Sequence, residues 1–329
     1  MSQVIVGFPT TLTYYLHYPM WKVFFSELGC KVETSPMTNK KILDEGVKET
    51  VTDACVPIKL YHGHAVALKD KVDYLFIPRM VNVDSDKNIT FCPKFLGLPD
   101  MIKASIPNLP KIISPSLDRK SGHYYLYKAC REIGRQLEKP ASLIFRAYRR
   151  AVSIQKKFEK IMVQNKLNPV EGIDYLFNSG SCSERPDADL NIAVLGYPYQ
   201  IYDPYISANL MSWLENHKVR TWTMEMVDYS QLQKYSGKLK KKLFWHFSNK
   251  VVWACYHYLD QPHIDGIIHV TAFSCGPDAM VDKLVELECK QRNFPFLSLM
   301  IDEQTGEGGV TTRLEAFTDM IRYRREQQG

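Results

Sequence analysis

Short apolar runs and longer amphipathic stretches alternate along the first hundred residues. An apolar run rich in β-branched and aromatic side chains predicts a strand, and apolar residues three or four apart predict a helix. The predicted elements are strand Val4–Phe8, helix Tyr18–Leu28, strand Cys30–Thr34, helix Asn39–Thr52 and strand Val72–Pro78. Strands that alternate with helices predict a parallel sheet with helices on both of its faces.

The helix predicted at Asn39–Thr52 has a mostly polar surface, so few of its side chains can face a core. We expect the inward-facing residues to be Ile42, Val47 and Val51.

Residues 120–167 have helical periodicity and many basic side chains. This pattern predicts helices Tyr124–Leu137 and Ala141–Leu167, with Pro140 between them. The stretch that follows, Asn178–Pro186, is rich in turn-forming residues and predicts a linker.

The alternation of apolar runs and helical stretches resumes at Leu190. Strands are predicted at Asn191–Leu195, Val219–Thr223, Gly266–Thr271 and Phe296–Ile301. Helices are predicted at Pro204–Asn216, Leu243–Leu259, Pro277–Arg292 and Thr312–Arg325. We expect Gly306–Gly309 to be a flexible loop, because glycines disfavour regular structure.

Both α/β patterns open with a strand that runs into glycine, an aromatic residue and proline. The two triplets are Gly7-Phe8-Pro9 and Gly196-Tyr197-Pro198. We predict an α/β protein of two Rossmann- or flavodoxin-like domains with parallel sheets, at residues 1–118 and 189–329. Residues 119–188 would form a helical segment and linker between them.

The composition of the 329 residues agrees with this prediction, since a hydrophobic fraction of 45% and a charged fraction of 24% are ordinary for a globular chain. It excludes disordered, collagen-like and coiled-coil classes. No apolar run approaches the roughly 18 residues that would cross a bilayer. The N-terminus lacks a signal-peptide pattern. We therefore expect a cytoplasmic protein without a membrane partner.

The chain contains eight cysteines, of which three share a proline context. These are Cys55-Val56-Pro57, Cys92-Pro93 and Cys275-Gly276-Pro277. Proline suits the first turn of a helix, so each thiol should lie at a helix N-terminus. The helix dipole and free backbone N–H groups there lower a thiol pKa and favour metal binding. Burial as a small apolar side chain is the alternative for each thiol, because no C-x-x-C motif is present.

The other five cysteines have no such context. Cys130, Cys255 and Cys289 lie in helical patterns and Cys30 enters a strand, so we expect these four in the core. Cys182 lies in the polar linker, where its role stays open.

The residues around the three cysteines resemble one family. The matching stretches are Asp53–Lys59, Phe91–Ile102, Asp265–Val270, Phe273–Asp278 and Thr312–Phe317, together with the two Gly-aromatic-Pro triplets. They are similar to the 2-hydroxyacyl-CoA dehydratase and benzoyl-CoA reductase-like superfamily. Within it they resemble the branch of acyl-CoA dehydratase activase-related proteins of unknown function.

This resemblance implies a 4Fe-4S cluster between the two domains, ligated by Cys55, Cys92 and Cys275, or a bridged double-cubane cluster. It also implies an ATP-hydrolysing activase as the donor of a low-potential electron, and a related subunit or a second copy as partner. The reaction implied is radical dehydration or reduction of an acyl-CoA-type substrate in anaerobic metabolism.

Two alternatives accompany that reaction. The chain could be a cluster-carrying electron-transfer component without catalysis, with a residue such as Cys182 on the fourth iron. It could also be a double-cubane-type reductase of small molecules. The chain has no P-loop pattern, so we expect the activase to be a separate protein.

Several other residues are weaker candidates. His62 and His64 could ligate a metal, or lie on different sides of a helix with one of them hydrogen-bonded. Arg79 could meet an anionic substrate or form a surface ion pair. Asp302-Glu303 could approach the substrate or belong to a solvated loop.

Basic side chains are concentrated at Arg146–Lys160 and Lys238–Lys242. A solvated helix face is the favoured interpretation, and a patch for an acidic electron donor or for coenzyme A phosphates is the alternative. No nucleic-acid-binding motif accompanies these runs, so no nucleic-acid partner is expected.

Overall fold

A computed structural model describes residues 3–84, 86–181 and 187–327. The chain divides into two compact units. Unit 1 comprises Met1–Lys160 and Leu243–His246, and unit 2 comprises Ile161–Lys242 and Phe247–Gly329. No helix among the described residues is both long and apolar enough to span a membrane.

The described part of unit 1 contains a four-stranded parallel sheet and a separate parallel pair of strands. The strands are β1 (Ile5–Phe8), β2 (Lys31–Thr34), β3 (Tyr74–Phe76), β4 (Arg79–Asn82), β5 (Lys111–Ile113) and β6 (Ser116–Asp118). The sheet has the order β2-β1-β3-β5, and β4 pairs with β6. The prediction of parallel sheets is confirmed, but the apolar stretch at 72–78 forms a strand only at Tyr74–Phe76.

The helices of unit 1 flank this sheet along the chain. They are α1 (Tyr14–Glu27), α2 (Lys40–Lys48), α3 (Val56–Leu68), α4 (Pro93–Leu96), α5 (Leu98–Ser105), α6 (Tyr125–Gln136) and α7 (Ala141–Asn165), whose last turn belongs to unit 2. An aromatic cluster fills the core beside β1 and β3, with Phe8, Phe25 and Phe76 at ring-centroid distances of 5.0–5.6 Å.

Two glycines bring α2 and α3 into backbone contact. A Cβ atom at Gly46 would overlap the carbonyl oxygen of Lys59, and one at Gly63 would overlap that of Ile42. The buried face of α2 is therefore centred on Gly46, with Ile42 and Leu43 beside it. The expectation for Ile42 is confirmed.

The inward orientation predicted for Val47 and Val51 is wrong, because both side chains are exposed. Val47 points away from the face centred on Gly46, and Val51 lies beyond the end of α2 at Lys48.

Residues 243–246 belong to unit 1 because they pair with the segment before α4. The amide of Thr90 donates to the carbonyl of Phe244, and the amide of His246 donates to the carbonyl of Thr90. The ring of His246 also stacks on Phe91, with centroids 5.1 Å apart.

The described part of unit 2 contains a second four-stranded parallel sheet. Its strands are β7 (Leu190–Gly196), β8 (Val219–Trp222), β9 (Gly266–Ala272) and β10 (Phe296–Ile301). The order β10-β9-β7-β8 has the same connectivity as the sheet of unit 1, since in each the second strand along the chain flanks the first and the third lies on its other side. Every residue of β9 is buried, as expected for an inner strand of a parallel sheet.

The helices of unit 2 include one that is shorter than predicted. They are α8 (Pro169–Asp174), α9 (Pro198–Ile201), α10 (Leu210–Asn216), α11 (Tyr229–Gln233), α12 (His246–Leu259), α13 (Gly276–Gln291) and α14 (Glu307–Glu326). The predicted helix Pro204–Asn216 begins only at Leu210, because Ala208 and Asn209 have positive φ. The loop predicted at Gly306–Gly309 is also wrong, since α14 begins at Glu307.

Candidate functional site

Cys55 is the N-cap residue of α3, as its sequence context predicted. Its backbone is extended (φ −66°, ψ 151°), Val56 and Pro57 form the first turn, and the backbone N–H groups of Ile58 and Lys59 donate to its carbonyl oxygen. Unlike the buried cysteines of this chain, the side chain is partly exposed.

Cys92 repeats this geometry at the start of α4, with φ −64° and ψ 157°. Pro93 occupies the first turn, and the backbone N–H groups of Phe95 and Leu96 donate to the carbonyl oxygen of Cys92. Two thiols of unit 1 therefore lie at the N-cap of a helix in the same way.

The two thiols are electrostatic neighbours, because Cys92 contributes to the pKa of Cys55. Burial raises the pKa of both thiols, while the ammonium group of Lys94 and the backbone N–H groups oppose that shift. The expected lowering of these pKa values is thus wrong, since desolvation outweighs the effect of the helix N-terminus. Lys94 is held by the carbonyl of Asp53, 3.0 Å from its ammonium nitrogen.

Cys275 is the N-cap residue of α13 in unit 2 and is also partly exposed. It follows directly after β9, at the carboxyl end of the sheet, where Ser274 has a φ of 62°. A non-glycine residue in this region stores backbone strain that the surrounding structure must hold.

A buried polar network behind Cys275 supplies that support. Asp278, in the first turn of α13, accepts hydrogen bonds from the amide of Ala272 (3.3 Å) and from the side chain of Gln200 (2.9 Å). The side-chain oxygen of Gln200, Oε1, accepts from the amide of Tyr197. The loop carrying Cys275 is therefore tied to the end of β9 and to the segment after β7.

His269 extends this network from within β9. Its Nδ1 lies 2.7 Å from Asp282, and its Nε2 lies 3.6 Å from Asp278. Burial raises the pKa of Asp278, against the opposing effect of His269. The sequence analysis missed this network, although an acidic residue three positions after a helix N-cap is a recognisable signal.

The remaining described cysteines are core residues, as predicted. They are Cys30, Cys130, Cys255 and Cys289. A hydrogen bond with Cys289, together with burial, raises the pKa of Cys255. Cys182 lies outside the described residues.

His62 and His64 are both buried in α3 and both hydrogen-bonded, where one such bond was expected. Nδ1 of His62 lies 2.8 Å from the carbonyl of Ile58. Nδ1 of His64 lies 2.8 Å from the hydroxyl of Ser35, and its Nε2 lies 3.0 Å from the hydroxyl of Thr38. Both nitrogens of His64 are thus engaged by hydroxyl groups.

The other candidates have ordinary structural partners. Arg79 forms the predicted ion pair, at 2.7 Å from Asp100. Asp302 accepts from the amide of Gln304 and the hydroxyl of Thr305 in a turn after β10. The basic side chains of α7 are exposed, as a solvated face requires; they are Arg146, Arg149, Arg150, Lys156, Lys157 and Lys160.

Within residues 3–84, 86–181 and 187–327, no three His, Cys, Asp or Glu side chains are gathered as a metal site. The donor chemistry nevertheless fits an iron–sulfur cluster in unit 1. Two partly exposed thiols lie at helix N-termini and interact electrostatically, and the ammonium group of Lys94 lowers the pKa of both. Thiolate ligation and hydrogen bonds to the sulfurs are what such clusters require.

Two family models match the sequence. The model of the CoA enzyme activase uncharacterised domain matches residues 5–227, which include Cys55 and Cys92. The model of the 2-hydroxyglutaryl-CoA dehydratase D-component matches residues 199–321, which include Cys275. No curated protein was found to match the chain.

Proposed function

The chain belongs to the CoA enzyme activase uncharacterised domain family, and we propose that its residues Cys55, Cys92 and Cys275 ligate a 4Fe-4S cluster. We propose further that the protein accepts low-potential electrons from an ATP-hydrolysing activase and uses them to dehydrate or reduce an acyl-CoA-type substrate. When bound, such a cluster supplies single electrons at a potential that its surroundings tune. The chain's match to a dehydratase component supports the substrate class.

The paired geometry of Cys55 and Cys92 is the observation that carries this proposal. Both thiols lie at a helix N-cap and remain partly exposed, whereas the other described cysteines outside these motifs are buried. Packing alone gives no reason for two cysteines that are far apart in the sequence to share this conformation.

The residues around the thiols have defined roles in such a site. The backbone N–H groups at the two helix N-termini favour the thiolate forms, and the ammonium group of Lys94 offsets the negative charge of a thiolate-ligated cluster. Asp278 and Gln200 hold the loop of Cys275 through the hydrogen bonds described above. These residues are positioning residues.

The test is the metal content of the anaerobically purified and reconstituted protein. We expect about four iron atoms and four acid-labile sulfides per chain, or about twice that number for a double cluster. Cys55→Ser, Cys92→Ser and Cys275→Ser should each lower the iron content and change the spectrum of the reduced protein.

Cys130→Ala is the matched control, because Cys130 is buried in α6 away from these motifs. It should keep the full iron content. An iron-free wild-type protein after reconstitution, or three serine variants that all bind iron like the wild type, would contradict the proposal.

A further inference from the structure

Unit 1 contains a cleft at a position where parallel sheets bind ligands. In the order β2-β1-β3-β5, the connections leave β1 and β3 toward opposite edges of the sheet. Ligands of open α/β sheets bind at the carboxyl ends of strands at this switch point. The cleft lies there, with Phe8 and Pro9 from the end of β1 and Phe76 and Pro78 from the end of β3 in its wall.

A buried hydroxyl group without a partner lines this cleft. Thr11 is 1% exposed, and its Oγ1 makes no hydrogen bond to the described residues. A buried hydroxyl left unpaired is destabilising, so such groups are uncommon unless something else satisfies them. The Oγ1 of Thr11 therefore indicates an occupant of the cleft.

Two phenols line the same cleft. Tyr14 of α1 and Tyr61 of α3 are both in its wall, and neither hydroxyl hydrogen-bonds to a described residue. Burial raises the pKa of both phenols, so they stay protonated and able to donate. The described lining contains no Asp, Glu, Lys or Arg, and its polar groups are hydroxyls, the indole of Trp21 and the imidazole of His17, all of which can donate to an acceptor oxygen.

The turn between β1 and α1 is held in a strained conformation beside the cleft. Leu12 has a φ of 51°, in the left-handed region that is unfavourable for a leucine. This conformation follows directly on Thr11 in the chain. Strain of this kind is concentrated where a backbone is shaped for a ligand.

We propose that this cleft binds the carbonyl or carboxylate oxygen of a small organic acid or of its thioester, with the hydroxyls of Thr11, Tyr14 and Tyr61 as donors. The cleft has a volume of about 20 Å³, which accommodates one oxygen atom of such a group. The rest of the ligand lies outside it. The inference goes beyond cluster binding and does not depend on it.

The test is a titration of the anaerobically purified full chain with [1-13C]acetate and, separately, with S-ethyl thioacetate, followed by NMR line broadening. Binding of acetate alone supports a free-acid ligand, and binding of the thioester alone supports a thioester ligand. Ethylamine, which has no acceptor oxygen, should not bind. Failure of both oxygen-containing probes to bind would overturn the proposal.

Thr11→Val and Thr11→Ser form a matched pair at the key hydroxyl. Thr11→Val keeps the shape and removes the donor, so affinity should fall about two- to tenfold, whereas Thr11→Ser should retain it. The melting temperature of Thr11→Val should equal or exceed that of the wild type, because an unpaired group is removed. A lower melting temperature without any probe binding would mean that the cleft holds only a structural water, and would overturn the proposal.

Tyr61→Phe should weaken binding by a similar factor, and Tyr148→Phe, outside the cleft, should leave it unchanged. Cys55→Ser separates this proposal from cluster binding. If Cys55→Ser binds the probe normally but lacks iron, the two sites are independent. Equal probe affinity in Thr11→Val, Tyr61→Phe and the wild type would contradict the cleft and leave the cluster proposal untouched.

Discussion

His64 shows how burial sets the charge of a single residue. Its ring is fully buried and lies between the hydroxyls of Ser35 and Thr38. Hydroxyl groups can hydrogen-bond a neutral imidazole but bring no negative charge to a protonated one. Burial accordingly lowers the pKa of His64 to about 4.

The free energy of unfolding should therefore fall in mild acid because of His64. The unfolded chain takes up a proton near pH 6.5, whereas folded His64 does so near pH 4, so its contribution is complete above pH 6.5 and lost as pH falls toward 4. A shift of this size corresponds to roughly 3 kcal/mol. Urea unfolding at pH 7.5 and pH 5 should show a smaller pH dependence for His64→Gln than for the wild type.

His123→Gln is the control for this measurement, because His123 is exposed. Its unfolding free energy should follow that of the wild type at both pH values. A pH dependence that is identical in all three proteins would show that His64 is not the titrating group.

At the scale of elements, the glycine contacts between α2 and α3 fix the helix that carries Cys55. Carbonyl oxygens of each helix occupy the space where a Cβ of the other would lie. Backbones this close tolerate no side chain at Gly46 or Gly63.

Gly46→Ala and Gly63→Ala should each destabilise unit 1 by about 3 kcal/mol or more, because the methyl group would force the helices apart. Gly309→Ala in α14 is the matched control, since open space surrounds that position. It should be neutral or stabilise by up to about 1 kcal/mol. Thermal unfolding measures these differences, and a near-neutral Gly46→Ala would disprove the close contact.

The two carboxylates beside His269 should respond to pH in opposite directions. Burial raises the pKa of Asp278, so its contribution to stability is present below about pH 3.8 and is lost as pH rises. For Asp282, burial acts in the same direction, but hydrogen bonds from His269 and Ser298 bring its pKa below 3.8. Its contribution is present above that pH and is lost in acid.

Asp278→Asn should consequently gain stability relative to the wild type as pH rises from 4.5 to 8, whereas Asp282→Asn should be less stable than the wild type at both pH values. Thermal unfolding at the two pH values gives the comparison. If both variants changed stability relative to the wild type in the same direction, the assignment of the raised pKa to Asp278 would be contradicted.

At the scale of the whole molecule, local patterns predicted most of the sheet elements. The strand Phe296–Ile301 was predicted with its observed bounds, and the three Cys-Pro contexts predicted helix N-caps that the structure has. The pattern of the sequence predicts such features because residues that are close in the sequence determine them.

The features that the sequence did not reveal depend on distant residues. The exposure of Val47 follows from the contact of Gly46 with Lys59, and the start of α12 follows from the pairing of 243–246 with Thr90. The raised pKa of Cys55 follows from tertiary burial, which a helix-dipole argument does not include. The cleft at Thr11 likewise exists only when β1, α1, α3 and β3 have assembled.

The return of residues 243–246 to unit 1 has a consequence for synthesis of the chain. The partner of Thr90 is made more than 150 residues after it. A nascent chain that has just completed Lys160 has the main sheet of unit 1 but not the pairing next to Cys92. The ribosome must therefore synthesise the chain as far as His246, the first residue of α12, before the segment that carries this cysteine can reach its final hydrogen bonds.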